Sequence, residues 1–153
     1  FAERLESPQT SWATSCEFDP PEGEGVHTLL AFEDGFHWQH RSDRRYKNED
    51  DDFNAVRRVE LIGRHGEQAD FDLRYFEIEP GGYTSLEKHL HTHVIVVARG
   101  EGVLVTDALR APLKPMDVAY VRPLEVHQLR NEGQAPFGFF CVVDRERDRP
   151  MRP

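Results

Sequence analysis

From residue 56 onward the apolar positions come in short β-prone runs: Val59 to Gly63, Phe71 to Ile78, Val94 to Ala98, Gly102 to Thr106, Val118 to Val121, and Phe137 to Val143. Turn formers separate them, at Gly66, Pro80-Gly81-Gly82, Gly100, Pro112, Pro115, Pro123 and Gly133. Short strands punctuated about every 10–15 residues predict an antiparallel sandwich or barrel, and no segment carries the period of a long helix. In Phe71, Leu73 and Tyr75 the apolar residues alternate with Asp72 and Arg74, as in a strand with one wet face. Phe76 and Ile78 then take the opposite parity, which predicts a bulge or a strand passing from one sheet to the other.

Residues 1–55 read differently. Pro8, Pro20, Pro21, Gly23 and Gly25 interrupt them, no period is sustained, and they close on the acidic run Glu49 to Asp52. Their aromatics, Phe18, Phe32, Phe36, Trp38 and Tyr46, predict an irregular arm that packs on the barrel or on a second subunit. The expected organisation is an arm over 1–55, a β-barrel over 56–146 and an arginine- and proline-rich tail over 147–153.

With 153 residues there is room for one domain. A hydrophobic fraction of 38% with 10 Phe supports a packed interior, while 31% charged residues place the chain in water. No apolar run reaches the roughly 18 residues of a membrane span, and no signal-peptide pattern is visible, so the expected location is the cytoplasm. A net charge of -9 disfavours nucleic acid and anionic lipid as partners and leaves a small molecule. Cys16 and Cys141 form no Cys-x-x-Cys pair and are expected to be reduced thiols.

The informative stretch is Glu87-Lys88-His89-Leu90-His91-Thr92-His93, with His127 farther along. In a strand, residues i and i+2 project from one face about 6.6 Å apart, so Glu87 and His89 can converge on one ion. Carboxylate and imidazole without thiolate suit Fe, Mn, Ni, Cu or Zn, so one divalent transition metal ion per subunit is expected, its identity open; the competing reading is a histidine-rich strand that is simply polar and solvated.

Gly81, Glu87, His89, His93 and Gly100 resemble the first cupin motif, in which a glycine precedes His-x-His, a later Glu and a closing glycine. Asp117 to His127, continuing to Asn131, resembles the second, with its Pro before a His and an Asn four residues after it. The resemblance implies an all-β cupin-type jelly-roll barrel with Glu87, His89, His93 and His127 as metal ligands. Glu and His are exchanged relative to the family's usual order, and Leu124 stands where the family usually has glycine, so the turn before His127 is expected to differ in shape.

Around these ligands His91, Arg74, Tyr75, Tyr83, Tyr120, Phe139 and Cys141 are candidate pocket residues, although packing is the competing role for each. Six residues separate His93 from Gly100, the family interval after its carboxylate ligand, so His93 and not His91 is the expected ligand. The resemblance implies a metal-dependent enzyme on a small substrate, with a dioxygenase-like oxidoreductase first. A metal-dependent isomerase or lyase, and a non-catalytic ligand- or metal-binding cupin, are the alternatives. A homodimer with the arm at its contact is also expected.

Overall fold

The structure is a computed structural model and describes residues 24–47 and 52–153. Cys16, Phe18 and most of the acidic run Glu49 to Asp52 lie outside the described residues. Among the described residues there is no helix, and so none long and apolar enough to cross a membrane.

The described residues form eleven strands: β1 (Phe32–Glu33), β2 (His37–Trp38), β3 (Asp43–Arg45), β4 (Asn54–Ile62), β5 (Phe71–Tyr83), β6 (His93–Arg99), β7 (Gly102–Thr106), β8 (Arg110–Leu113), β9 (Val118–Val121), β10 (His127–Arg130) and β11 (Phe137–Asp144). All pairings are antiparallel. One side of the curled sheet runs β3-β4-β5-β11-β6-β9, and the other runs β8-β7-β10 and joins at Tyr83, the end of β5. The fold is an all-β, curled antiparallel half-barrel, the form that the cupin resemblance implies.

The expected change of parity at Phe76 has a different cause from a bulge. β5 pairs with β11 in unbroken register from Phe71↔Asp144 to Ile78↔Phe137. Asp72, Arg74, Phe76 and Ile78 all face the concave interior, which is polar at one end and apolar at the other. The supposed wet face is therefore the buried inside, and Leu73 and Tyr75 face outward beneath another layer. β5 does pass from one sheet to the other, but after Ile78, through Pro80-Gly81-Gly82, before pairing with β10 at Tyr83.

That outer layer is the described part of the arm. Trp38 and Phe36 stack around Tyr75, at 5.0 and 5.3 Å between ring centroids, and Trp38 also meets Phe140. Burying aromatics at about 25 cal/mol per Å² fixes the arm to the sheet. These arm aromatics are thus engaged by the chain's own barrel. The inner core gathers Phe76, Ile78, Ile95, Val97, Leu104, Val121, Leu129, Phe137 and Phe139.

β8 and β10 escape the apolar pattern for physical reasons. Pro112 lacks a backbone N–H, and β8 accommodates it as the edge strand. β10 reads as His127-Gln128-Leu129-Arg130 because its polar residues are used structurally: Gln128 donates to the Thr84 carbonyl at 2.8 Å.

Leu124 adopts φ 60°, the left-handed conformation that a glycine would supply. The turn before His127 therefore keeps the glycine-type shape, contrary to expectation. Its N–H donates to the His89 carbonyl at 2.7 Å, which holds a strained residue in place. A non-glycine residue there costs roughly 1–2 kcal/mol. Leu124→Gly should recover part of this, raising the thermal midpoint by a few degrees; an unchanged or lowered midpoint would show that the Leu124 side chain contributes more than the strain removes.

Candidate metal centre

The two motifs meet through a single antiparallel bridge. Glu87 N–H donates to the His127 carbonyl at 3.2 Å and His127 N–H to the Glu87 carbonyl at 2.9 Å, so the two residues lie opposite one another. Leu90 and His91 turn the chain, and His93 opens β6. Ligand atoms of His89, His93 and His127 all lie within 4.8 Å of one another, and the three side chains are buried.

Each ring is oriented by its other nitrogen. His89 Nδ1 meets the His91 carbonyl at 2.7 Å and His127 Nδ1 meets the Glu125 carbonyl at 2.9 Å, so each donates from Nδ1 and leaves a lone pair on Nε2. His93 Nδ1 lies 3.1 Å from Cys141 Sγ. Fixing Nδ1 in this way is what outer contacts do for metal-binding imidazoles. The test of fit is the separation of His89 Nε2 and His93 Nε2, 2.8 Å. With the His93 proton also on Nδ1, the two Nε2 lone pairs face each other and a cation beside them satisfies both; in the other His93 tautomer, with Cys141 S–H donating to Nδ1, its Nε2–H donates to His89. Burial pushes the His89 pKa down to about 4 and that of His93 well below its ordinary value, the latter helped by the Arg74 guanidinium. Neutral imidazoles are the metal-binding form.

Glu87 stands at the edge of this triad. Its Oε1 is 3.9 Å from His89 Nε2, while Oε2 is held by Lys47 Nζ and, at 2.7 Å, by Ser85 Oγ. Burial raises the Glu87 pKa, but the Lys47 ammonium outweighs this and holds the carboxyl below its ordinary range. Tyr46 closes the group, its hydroxyl 3.2 Å from Ser85 Oγ. Ser85 shares the parity of Glu87, a usable sequence signal. Lys47, in the aperiodic arm, gave none.

His91 lies outside the triad. Its ring stacks on His89 at 3.6 Å, and its Nδ1 pairs with Asp148 Oδ1 at 2.8 Å. Asp148 also accepts the backbone N–H groups of Leu90 and His91, at 2.7 and 3.0 Å. Those bonds outweigh burial and hold its carboxyl far below the usual range. The segment carrying Asp148 is fastened further by a bridge between Lys88 and Met151.

The comparisons with known proteins agree with this fold. Residues 74–143 match a family model described as a cupin domain. A 1-methylthio-D-xylulose 5-phosphate methylsulfurylase from Rhodospirillum rubrum is 32% identical over 123 residues, covering 80% of this chain and 78% of that protein. The chain belongs to the cupin superfamily. Among solved cupins, a conserved barrel domain protein from Rhodopseudomonas palustris superposes with a TM-score of 0.76 at 31% identity, covering 82% of this chain and 86% of that one. A cupin 2 domain-containing protein from Halorhodospira halophila is 41% identical with a TM-score of 0.63, covering 82% of each chain.

The remaining pocket candidates of this cupin divide by face. Cys141 and Arg74 reach the interior beside the triad: Arg74 Nη2 donates to Cys141 Sγ at 3.4 Å. Burial pushes the Cys141 thiol pKa up against the pull of Arg74, which favours the neutral S–H. Phe139 is inside but stacks on Phe76 in the apolar end, at 5.5 Å. Tyr75 is on the outer face, its hydroxyl donating to Glu77 at 2.7 Å. Tyr83 donates to Asp52 at 3.1 Å, under Arg130. Tyr120 projects from edge strand β9 and is 59% exposed. The structure does not bring these three tyrosines to the triad, because the strand faces that carry them are convex.

Proposed function

We propose that this cupin is a mononuclear metal-dependent enzyme acting on a small, oxygen-rich substrate, with His89, His93 and His127 as ligands and Glu87 as the carboxylate of the same site. The observation that carries this reading is the pair of Nε2 atoms 2.8 Å apart with every Nδ1 already engaged. A divalent ion bound there supplies Lewis-acid polarisation of a substrate carbonyl or hydroxyl. The chain's own groups do the rest. Carbonyls of His91 and Glu125 keep the His89 and His127 rings in the metal-binding tautomer, and the Cys141 sulfur orients the His93 ring. Lys47 and Ser85 hold the Glu87 carboxylate ionised, and Arg74 places positive charge beside His93.

Support for catalysis comes from the methylsulfurylase relative, whose name describes a sulfur-bearing ketose phosphate. That substrate class is the first to try. It favours chemistry at a sugar phosphate over the dioxygenase version of the sequence reading, which becomes one arm of the test. The protein, reconstituted separately with Fe(II), Mn(II), Ni(II), Cu(II) and Zn(II), is incubated with methylthio-ketose phosphates, plain ketose and aldose phosphates, and oxygen-reactive enols and phenols. Products are followed by NMR and oxygen by electrode. Metal-dependent turnover of a sugar phosphate without oxygen uptake is the expected result. Oxygen consumption coupled to turnover of an enol or phenol would move the assignment to a dioxygenase, and ligand binding without turnover to a non-catalytic cupin.

A further inference from the structure

This cupin is acidic overall, yet the concave face beside its histidine triad collects guanidinium groups. Arg58 and Glu60 on β4 and Asp72 and Arg74 on β5 all point inward, with Glu60 paired across from Arg74 and Arg58 from Phe76. Arg58 and Arg74 are therefore diagonal neighbours on one face, within reach of a shared small ligand. Arg147 enters from the C-terminal segment and donates to Asp72 Oδ2 at 2.6 Å, and Arg64 donates to the same oxygen at 2.7 Å. Arg58 meets Glu60 at 3.3 Å.

Four guanidinium groups thus share two carboxylates, Asp72 and Glu60. The excess of two positive charges spans a half-dry interior and its rim, Arg64 being the exposed member, and an unpaired charge in the dry part is costly. Arg74 is the least compensated. It is only 9% exposed, its one hydrogen-bond acceptor is the Cys141 sulfur, and its Nε has no partner among the described residues. Arg58 Nε is likewise unpartnered. A guanidinium with a free edge in a buried setting is pre-shaped for a tetrahedral or planar oxyanion, which it grips with two parallel N–H···O bonds. The groups also feel one another. Burial first, and then the charges of Arg74 and Arg147, lower the Arg58 pKa against the opposing pull of Glu60. The field reaches the triad, since Arg74 depresses His93.

We propose that this arginine face is the binding subsite for a phosphate monoester dianion, gripped chiefly by Arg74 with Arg58 and Arg147 at its flanks. The two negative charges of such a group match the local excess, whereas a single carboxylate neutralises half of it. Cys141 bridges Arg74 to His93, so a phosphate on Arg74 leaves the rest of a short carbon chain reaching toward the imidazoles. The subsite deepens the reading of the centre as one for small oxygen-rich substrates and rests on it for its purpose. Its chemistry requires no metal.

The test uses the full chain in both metal-loaded and chelator-stripped forms, with inorganic phosphate as the probe and acetate as the carboxylate comparison. Binding is followed by calorimetry and by the shift of thermal midpoint with ligand. Phosphate should bind both forms, more tightly than acetate. Arg74→Met should weaken it about tenfold or more, the loss of one charged hydrogen-bonding group, and Arg58→Met by a smaller factor. Arg110→Met, on the exposed strand β8, should change nothing. Should Arg74→Met fail to fold, Arg74→Lys, which keeps the charge and loses the fork, serves in its place and should still weaken phosphate.

Equal phosphate affinity in Arg74→Met, or in its lysine stand-in, overturns the proposal. So does acetate binding as tightly as phosphate, or no phosphate binding to either form. Phosphate binding that vanishes with the metal assigns the anion to the ion instead and also overturns the subsite. None of these results disturbs the metal centre itself, which is judged by metal content.

Discussion

His93→Ala is expected to lose most of the protein's metal affinity, while His91→Ala keeps most of it. The two residues are two apart in sequence and were separable only by counting back from Gly100. The structure gives the contrast a physical basis. His93 contributes a ligand atom to the triad, with its Nε2 2.8 Å from that of His89. The His91 ring turns its Nδ1 to Asp148 instead, and it is the backbone carbonyl, which alanine retains, that fixes His89.

Removing His91 therefore costs a stacking contact and an outer hydrogen bond, a loss of ~10–100-fold at most, whereas removing His93 deletes a first ligand and should exceed that range. Competitive titration against a chelator of known affinity, with both variants in one buffer, measures the difference. If His91→Ala loses the metal and His93→Ala retains it, the triad is not the metal site.

Gly100→Ala should be the most damaging single methyl group that can be added to the described turns. Gly100 has φ +64° and a Cβ there would stand 2.1 Å from the Pro136 carbonyl oxygen, which is backbone and cannot rotate away. Left-handed strain of roughly 1–2 kcal/mol adds to overpacking of about 1–3 kcal/mol. Against a typical stability of about 5–15 kcal/mol this is severe, and at about 2–4 °C per kcal/mol it should lower the thermal midpoint by roughly 5–15 °C.

Gly81 supplies the comparison. It also has positive φ, 80°, but a Cβ would meet nothing within 4 Å. Gly81→Ala should therefore show the conformational cost alone. Similar midpoints for the two variants would mean that the β6–β7 turn moves freely, and the crowding argument would fail.

The barrel strands were legible where their pattern was apolar. Gly102 to Thr106 and Val118 to Val121 coincide with β7 and β9, and Phe137 to Val143 falls one residue short of β11. β8 and β10 were hidden because sequence cannot say that a proline will lie on an edge, or that a polar strand will spend its side chains on neighbouring backbone. β5 shows where charge misleads: Asp72 and Arg74 read as solvated because they are charged, yet they line the interior.

Among the site residues, the glycines and histidines of the two motifs carry their spacing in the sequence. Lys47 and Asp148 do not. Each reaches the centre from a segment far away along the chain, across distances that only the closed fold removes.

The fastening of the C-terminal segment bears on motion at the centre. Met151 exchanges two hydrogen bonds with Lys88, at 2.9 and 2.8 Å, and Asp148 caps the amides of Leu90 and His91, so residues 88–91 are held on one side by the segment and on the other by the His127 bridge. Local opening is cooperative within such a unit. In hydrogen exchange the amides of Lys88, Leu90, His91 and Met151 are expected to open as one unit, faster than the core of β5 and β11. Order beside the histidine triad thus depends on a contact whose far end lies about sixty residues along the chain: freeing Asp148 and Met151 would remove the backbone partners of residues 88–91, next to His89.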